Sequence, residues 1–272
     1  MCNTVIDNRF ISIENPQRIW AMPSIHGDVD RLTALHDAVL ERFEPGDRIV
    51  YLGNYTGYGS ASVETIDEIL AFRRVILSHL GVIPDDIVYL RGRQEDMWQR
   101  LMQLPFCPNP VDTMLWMLAS GLSNTFQSYG ICAHEGVIAA REGTMSLTRW
   151  THKVRAAVRK HAGHDIFNTQ FKRAAFTQDE HRFPLLFVNA GIDPHKGLAE
   201  QDDALWWSGE TFTDMKDPYD PFEKVVRGFD PNHRGVTLNG VTASLDGGCG
   251  FGGSLVCAGI ERSGDFFEFL EA

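Results

Sequence analysis

Three apolar runs in the first third of the chain each end in polar side chains able to do chemistry. Arg18-Ile-Trp-Ala-Met-Pro-Ser24-Ile-His26-Gly27-Asp28 ends in a hydroxyl, an imidazole and a carboxylate. Arg48-Ile-Val-Tyr-Leu-Gly53-Asn54 ends in an amide, and Asp86-Ile-Val-Tyr-Leu-Arg-Gly92-Arg93-Gln94-Glu95 in a guanidinium, an amide and a carboxylate. Two chemistries suit such groups. His26 with Asp28 and a neighbouring amide could hold a divalent ion. Arg93 could grip phosphate oxygens with its planar fork, with Ser24, Asn54 and Gln94 adding neutral hydrogen bonds.

The elements that must position these groups follow from periodicity. Val29 to Phe43 carries Leu32, Leu35, Val39, Leu40 and Phe43 at helical spacing, so the first segment reads as strand, tight turn and helix. Ser60 to His79 reads as a second helix, and Ile87 to Leu90 as a short strand covered on both faces. Such a βαβ series brings its strand-end turns to one sheet edge, where open α/β folds place their sites. Helical spacing then dominates: Met97 to Leu104, Val111 to Leu122, Met145 to His161 and Phe167 to Ala175. From Pro184 the β pattern returns, with strands at Leu185 to Val188, Lys224 to Arg227, Gly235 to Leu238, Val241 to Leu245, Ser254 to Ile260 and Asp265 to Leu270. Alternation and Gly pairs in the last of these predict an antiparallel second sheet joined by hairpins. Residues 1 to 17 read as an edge strand or an arm.

In order and spacing the first three segments resemble the G-D-x-H-G, G-D-x-V-D-R-G and G-N-H-E blocks of the calcineurin-like metallophosphoesterases. The likeness is greatest to the bacterial PPP-type branch of serine/threonine phosphatases and diadenosine tetraphosphatase-like hydrolases. Later blocks are similar too: Gly121-Leu-Ser-Asn-Thr-Phe-Gln-Ser-Tyr129-Gly130, Phe187-Val-Asn189-Ala190-Gly191-Ile-Asp-Pro194, Val225-Val-Arg227-Gly228-Phe229-Asp-Pro231 and Leu245-Asp246-Gly-Gly-Cys249-Gly-Phe-Gly-Gly253. The resemblance runs from about residue 18 to residue 261. It implies one α/β domain over 1–272, a four-layer αββα sandwich with a helical cap inserted at 96–183.

The resemblance also implies a two-metal centre, and here the chain departs from the pattern. Carried over position by position, the family's ligand Asp in the first block is Ser24, while its His is kept as His26. The bridging Asp is Asn54, the ligand Asn of the third block is Arg93, and the general-acid His beside it is Gln94. The later ligand histidines are Asn189 and Arg227, and the phosphate-binding Arg is Tyr58. One ligand in six remains. Two dications a few ångströms apart need carboxylates between them, and Arg93 and Arg227 keep their charge at any physiological pH.

The expectation is therefore a pseudoenzyme: a phosphoesterase scaffold without its dinuclear centre. It would bind a phosphorylated small molecule or a protein in a regulatory or scaffolding role, through Arg93, Arg227, His26, Asn54, Asn189 and Ser24. No cofactor is expected, and no residue is assigned as catalytic; His26, Asn54 and Gln94 only occupy the family's positions. In the alternative, a divergent phosphoesterase acts on phosphoprotein or dinucleoside polyphosphate with manganese or another divalent ion at reduced occupancy on His26, Asp28, Asn54 and Asn189. The two arginines could equally neutralise a vacated acidic pocket by pairing with Glu95 or Asp230.

Composition sets the remaining bounds. The chain has 272 residues, 43% hydrophobic and 22% charged, with net charge −11. That charge argues against general nucleic-acid or anionic-membrane binding. Within it, Lys153, Arg155, Arg159, Lys160, Lys172 and Arg173 form a basic stretch, either a solvated helix face or a docking face for an acidic partner. Five unclustered cysteines give neither a disulfide framework nor a C-x-x-C site. No signal peptide and no run long enough for a transmembrane helix is evident, so a cytoplasmic location is expected.

Overall fold

The computed structural model describes residues 9–179 and 182–272. The reading of the amino terminus as lacking a signal peptide, and Cys2, fall largely on residues 1–8, outside the described residues. Two sheets stack face to face. The first has the order β11-β10-β2-β3-β4 and the second β1-β5-β6-β7-β9-β8.

The first sheet is built on β2 (Arg18–Met22), β3 (Arg48–Tyr51) and β4 (Ile87–Tyr89), which pair in parallel. Their crossover helices are α1 (Val29–Leu40) and α2 (Ser62–Leu77). The side-chain period of two sorts each strand between two cores. Ile19, Ala21, Val50 and Leu52 face the other sheet, whereas Trp20, Met22, Ile49 and Tyr51 pack under α1 and α2 against Leu35, Val39, Ile69 and Phe72.

The second sheet contains β1 (Phe10–Glu14), β5 (Ala174–Gln178), β6 (Phe183–Val188), β7 (Phe222–Arg227), β8 (Thr237–Leu238) and β9 (Thr242–Ser244). Leu185 and Phe187 of β6 join the core between the sheets. Leu186 and Val188 face outward onto Leu205 and Trp206 of a short helix, α9 (Ala204–Trp207). Helices on both outer faces complete the four layers expected from the sequence.

Two expectations are corrected. The second sheet is mixed: β6, β7 and β9 run parallel. The hairpin β10 (Val256–Glu261) and β11 (Phe266–Glu271) instead joins the first sheet, antiparallel to β2. Phe167 to Ala175 is not a helix. Ala174 and Ala175 lie in β5, whose ladder with β1 and β6 overrides their helical propensity.

Between the third strand and β6 stand α3 (Arg93–Gln103), α4 (Pro110–Met117), α5 (Ser123–Ser128), α6 (Ala133–Glu142), α7 (Thr144–Val158) and α8 (His164–Phe167). Helices α3 to α7 share a core that includes Met97, Leu101, Met114, Met117, Phe126, Val137, Leu147, Trp150 and Val154, whereas Phe167 of α8 joins the core beneath α1 and α2. Of the aromatic and Met residues here that helical spacing marks as core, Met114 and Met117 are fully buried and Trp98 packs against their cluster, whereas Trp116 is 44% exposed. Among the described residues no helix is long and apolar enough to cross a membrane.

Candidate functional site

Six strand-end turns meet at the carboxyl edges of the two sheets, and backbone hydrogen bonds tie them together. Ser24 N–H donates to the Gly228 carbonyl at 3.0 Å, and His26 N–H to the Asn54 carbonyl at 2.8 Å. Gly228 and Phe229 N–H both donate to the Asn189 carbonyl, at 3.0 and 2.8 Å. His26, Asn54 and His233 take positive φ values of 55°, 58° and 47°. Such conformations are uncommon outside glycine and gather where a fold over-determines its backbone. Gly92 comes so close to Asn54 that a Cβ there would lie 2.4 Å from the amide oxygen.

All six positions named from the sequence are brought together, with Gln94 beside them. Their donors and acceptors are largely turned on one another. Asn54, fully buried, donates from Nδ2 to Ser24 Oγ at 3.0 Å and to Asn189 Oδ1 at 3.5 Å, while its Oδ1 accepts the Gln94 N–H at 3.1 Å. Asn189 Nδ2 donates to the Leu52 carbonyl at 2.6 Å. Gln94 spans to the Ser120 carbonyl at 2.9 Å, lodged between Gly57 and Gly121, where a Cβ at either would press on its amide.

The two arginines are engaged differently. Arg227, completely buried, donates from Nε to Ser244 Oγ at 3.0 Å and from Nη1 to the carbonyls of Gly209 and Ala190 at 2.8 and 3.3 Å. Its Nη2 contacts Asp230 Oδ2 at 3.0 Å without the alignment of a hydrogen bond. Burial lowers its pKa to about 10 against the pull of Asp230, so it stays charged at pH 7. Asp230 is thus the partner foreseen for Arg227. Arg93 is only half-buried and meets no carboxylate among the described residues. It donates to the Trp206 carbonyl at 2.7 Å and lies 4.8 Å over the Phe229 ring and 5.4 Å over Trp207. Burial lowers its pKa as well.

Glu95 pairs with neither arginine. Its carboxylate accepts the backbone N–H groups of Asn54, Tyr55 and Gly92 at 2.8 to 3.0 Å, bracing the second turn from below. Asp28 is the N-cap of α1, accepting Arg31 N–H at 3.2 Å while its other oxygen meets the Arg31 guanidinium. Asp246 braces its own turn through Asp230 N–H and Gly248 N–H and holds His233 Nδ1 at 3.1 Å.

His26 sits in an aromatic box. The rings of Tyr58, Phe229 and Phe251 stand edge-on to its imidazole with centroids 5.3, 5.7 and 5.3 Å away. Phe251 also packs on Tyr58 at 4.4 Å and on His233 at 3.9 Å. His26 is 1% exposed, and among the described residues neither ring nitrogen has a partner in full hydrogen-bond geometry, with the Thr56 backbone as a looser polar contact. Burial drives its pKa down to about 4, outweighing the nearby Asp246 carboxylate, so the ring is neutral at pH 7. The sequence reading gave Phe229, Phe251 and His233 no role. Their signal was available, since Tyr58, Phe229 and Phe251 each adjoin a turn glycine where an aromatic has no strand face to fill.

A dinuclear metal centre does not fit these donors. The unbonded His26 imidazole could ligate an ion. Asn54, however, directs N–H groups to where a bridging carboxylate would present oxygen, and Arg227 places a sealed positive charge in the same cluster. Two adjacent dications need anionic oxygen to offset their repulsion, and apart from His26 the centre supplies a hydroxyl and amides, of which Asn54 and Asn189 are bonded to one another.

No sequence-family model matches the chain, and no curated protein matches it. Solved structures match over 97% of it. A candidate diadenosine tetraphosphatase, itself 97% covered, aligns with TM-score 0.55 and 17% identity. A protein serine/threonine phosphatase from Saccharomyces cerevisiae, described as similar to human phosphatase PP5, aligns over 82% of its length with TM-score 0.52 and 13% identity. The cold-active protein-tyrosine phosphatase of a psychrophilic Shewanella species aligns over 84% with TM-score 0.54 and 11% identity. The chain has the α/β sandwich fold of these phosphatases.

Proposed function

We propose that this chain is a non-hydrolytic phosphoesterase-fold protein that binds a phosphorylated small molecule or an acidic protein partner in a regulatory or scaffolding role. The carrying observation is how the centre's amides and inner arginine are engaged: Asn54 Nδ2 hydrogen-bonds to both Ser24 and Asn189, and Arg227 is sealed against Asp230, which leaves the His26 nitrogens and Gln94 Oε1 as the centre's buried acceptors without a partner among the described residues. A site made this way presents few vacant acceptors to an ion. The partner's charge is inferred from the cap. Arg91, Arg155 and Arg159 line an opening of about 440 Å³ together with Trp98 and Phe171, outnumbering the carboxylates of Glu95 and Asp165, the second of which stands 3.8 Å from Arg159. Among the described residues Arg155 reaches only Met102 Sδ, at 3.3 Å, and no carboxylate. Planar guanidinium forks suit phosphate or carboxylate.

The competing reading, a divergent metal-dependent phosphoesterase, draws support from the unbonded His26 imidazole and from the phosphatases that share the fold. Turnover of phosphopeptides, dinucleoside polyphosphates and a generic aryl phosphate with added manganese separates the two. The proposal expects none, and manganese-dependent turnover abolished by His26→Ala would replace it. For binding, inorganic phosphate is expected to raise the thermal midpoint. Loss of that shift in Arg155→Ala assigns the anion to the cap, and loss in Arg93→Ala assigns it to the mouth of the centre.

A further inference from the structure

Away from this centre, the core helix α2 and the end of the cap bring two imidazoles and a carboxylate together. Helix α7 ends at Val158, and His161 N–H closes the following turn on the Val158 carbonyl at 3.0 Å. Gly163 then adopts φ 86°, reversing the chain so that His164 enters the interior. The His164 side chain is fully buried. Its Nδ1 lies 2.7 Å from the Tyr129 hydroxyl and its Nε2 3.1 Å from Asp67 Oδ1 on α2. The His161 ring packs 5.2 Å from that of His164 and makes no hydrogen bond among the described residues. One ligand-type atom from each of Asp67, His161 and His164 lies within 4.8 Å of the others.

We infer that Asp67, His161 and His164 form a site for one divalent transition-metal ion of the zinc class, completed by water and separate from the phosphatase-type centre. Four arguments carry it. The first is donor chemistry: two imidazoles and one carboxylate suit zinc and its neighbours in the first row. The second is span. A tetrahedral ion with bonds of roughly 2.0–2.1 Å holds its ligand atoms roughly 3.3 Å apart. The Asp67–His164 pair is already at 3.1 Å, so only His161 has to draw in.

The third argument is the supporting shell. Ligating histidines are fixed through their other nitrogen, and His164 Nδ1 already has the Tyr129 hydroxyl, which can donate or accept and so follow either tautomer. Without an ion, Nε2–H donates to Asp67; with one, the proton resides on Nδ1 and the Nε2 lone pair faces the metal. The fourth is access and field. Asp67 is 58% exposed, leaving room for a water ligand. Glu64 and Glu68 line the same surface groove of about 480 Å³ and bias it toward cations, with Arg74 opposing them from its far end. A bound ion would tie the core helix α2 to the cap across a stretch running from residue 67 to residue 161.

The test uses the full chain and zinc alone. After chelation and equilibrium dialysis against zinc, elemental analysis is expected to find one ion per chain. His161→Ala removes a partly exposed imidazole and Asp67→Asn exchanges an exposed carboxylate for a neutral amide of the same shape, and each is expected to weaken zinc binding roughly tenfold or more with unchanged far-ultraviolet circular dichroism. His26→Ala is expected to leave occupancy intact. Cobalt should give the intense visible bands of a low-coordinate nitrogen and oxygen site. No zinc in the native chain, unchanged affinity in both variants, loss in His26→Ala alone, or thiolate charge-transfer bands would each overturn the assignment.

Discussion

Arg227 Nη2 and Asp230 Oδ2 stand 3.0 Å apart with both side chains sealed from solvent. Asp230 also accepts Arg234 Nε at 2.8 Å. Burial would raise the Asp230 pKa, but the bonds from Arg234 and Asn232 and the charge of Arg227 bring it below the usual carboxylate range. Removing one partner of such a pair strands the other charge. Asp230→Asn is therefore expected to destabilise the fold by about 3–5 kcal/mol, measured by urea unfolding. A loss below about 1 kcal/mol would mean that solvent reaches Arg227.

Glu95 offers a second test. Burial pushes its pKa up while the backbone donors of Asn54, Tyr55 and Gly92 oppose that rise. Glu95→Gln replaces a charged acceptor with an amide that turns its own N–H groups toward those donors. Hydrogen bonds to charged groups contribute about 1.5–3 kcal/mol, so a loss of that order in the free energy of unfolding is expected from urea denaturation. Unaltered stability would contradict the bracing role.

Acid should destabilise the protein through its buried histidines. The His26 pKa falls from an ordinary 6.5 to about 4 on folding. Above pH 6.5 neither state carries that proton. As pH drops below 6.5 the unfolded chain binds it first, and stability declines until the folded state also protonates near pH 4, a total of about 3 kcal/mol. Burial lowers the pKa of His36 and His164 in the same direction. Unfolding measured between pH 7 and pH 4 should show this slope, and His26→Leu should flatten it whatever its absolute stability.

Phe251 is 41% exposed yet covers the His26 imidazole. Phe251→Ala is expected to admit water and return the His26 titration toward its ordinary value, read by proton NMR of the ring. A titration still near pH 4 in the variant would place the desolvating contact on Tyr58 or Phe229.

The frame was legible because parallel strands buried on both faces read as apolar runs, and each ended in the glycine turn that its geometry needs. Ser24, His26 and Asn54 stand at the ends of such runs, whereas Asn189 and Arg227 were placed by the family resemblance, carried over block by block. Other features depend on partners distant in sequence. Ala174 and Ala175 become strand only beside β1 and β6, and the hairpin of β10 and β11 chooses β2 across most of the chain length. The helix α6 was overlooked because Ala133–Glu142 carries few large apolar residues. The aromatic box and the pairing of Asp67 with His164 join turns or helices far apart in the chain, and no periodicity announces them.

Metal content after incubation with excess manganese, compared between the native chain, His26→Ala and His161→Ala, tests the central claim most directly. The account predicts no ion whose retention depends on His26, and at most one ion per chain, lost in His161→Ala. Two manganese ions per chain, both lost in His26→Ala and unaffected by His161→Ala, would contradict it and restore a dinuclear centre.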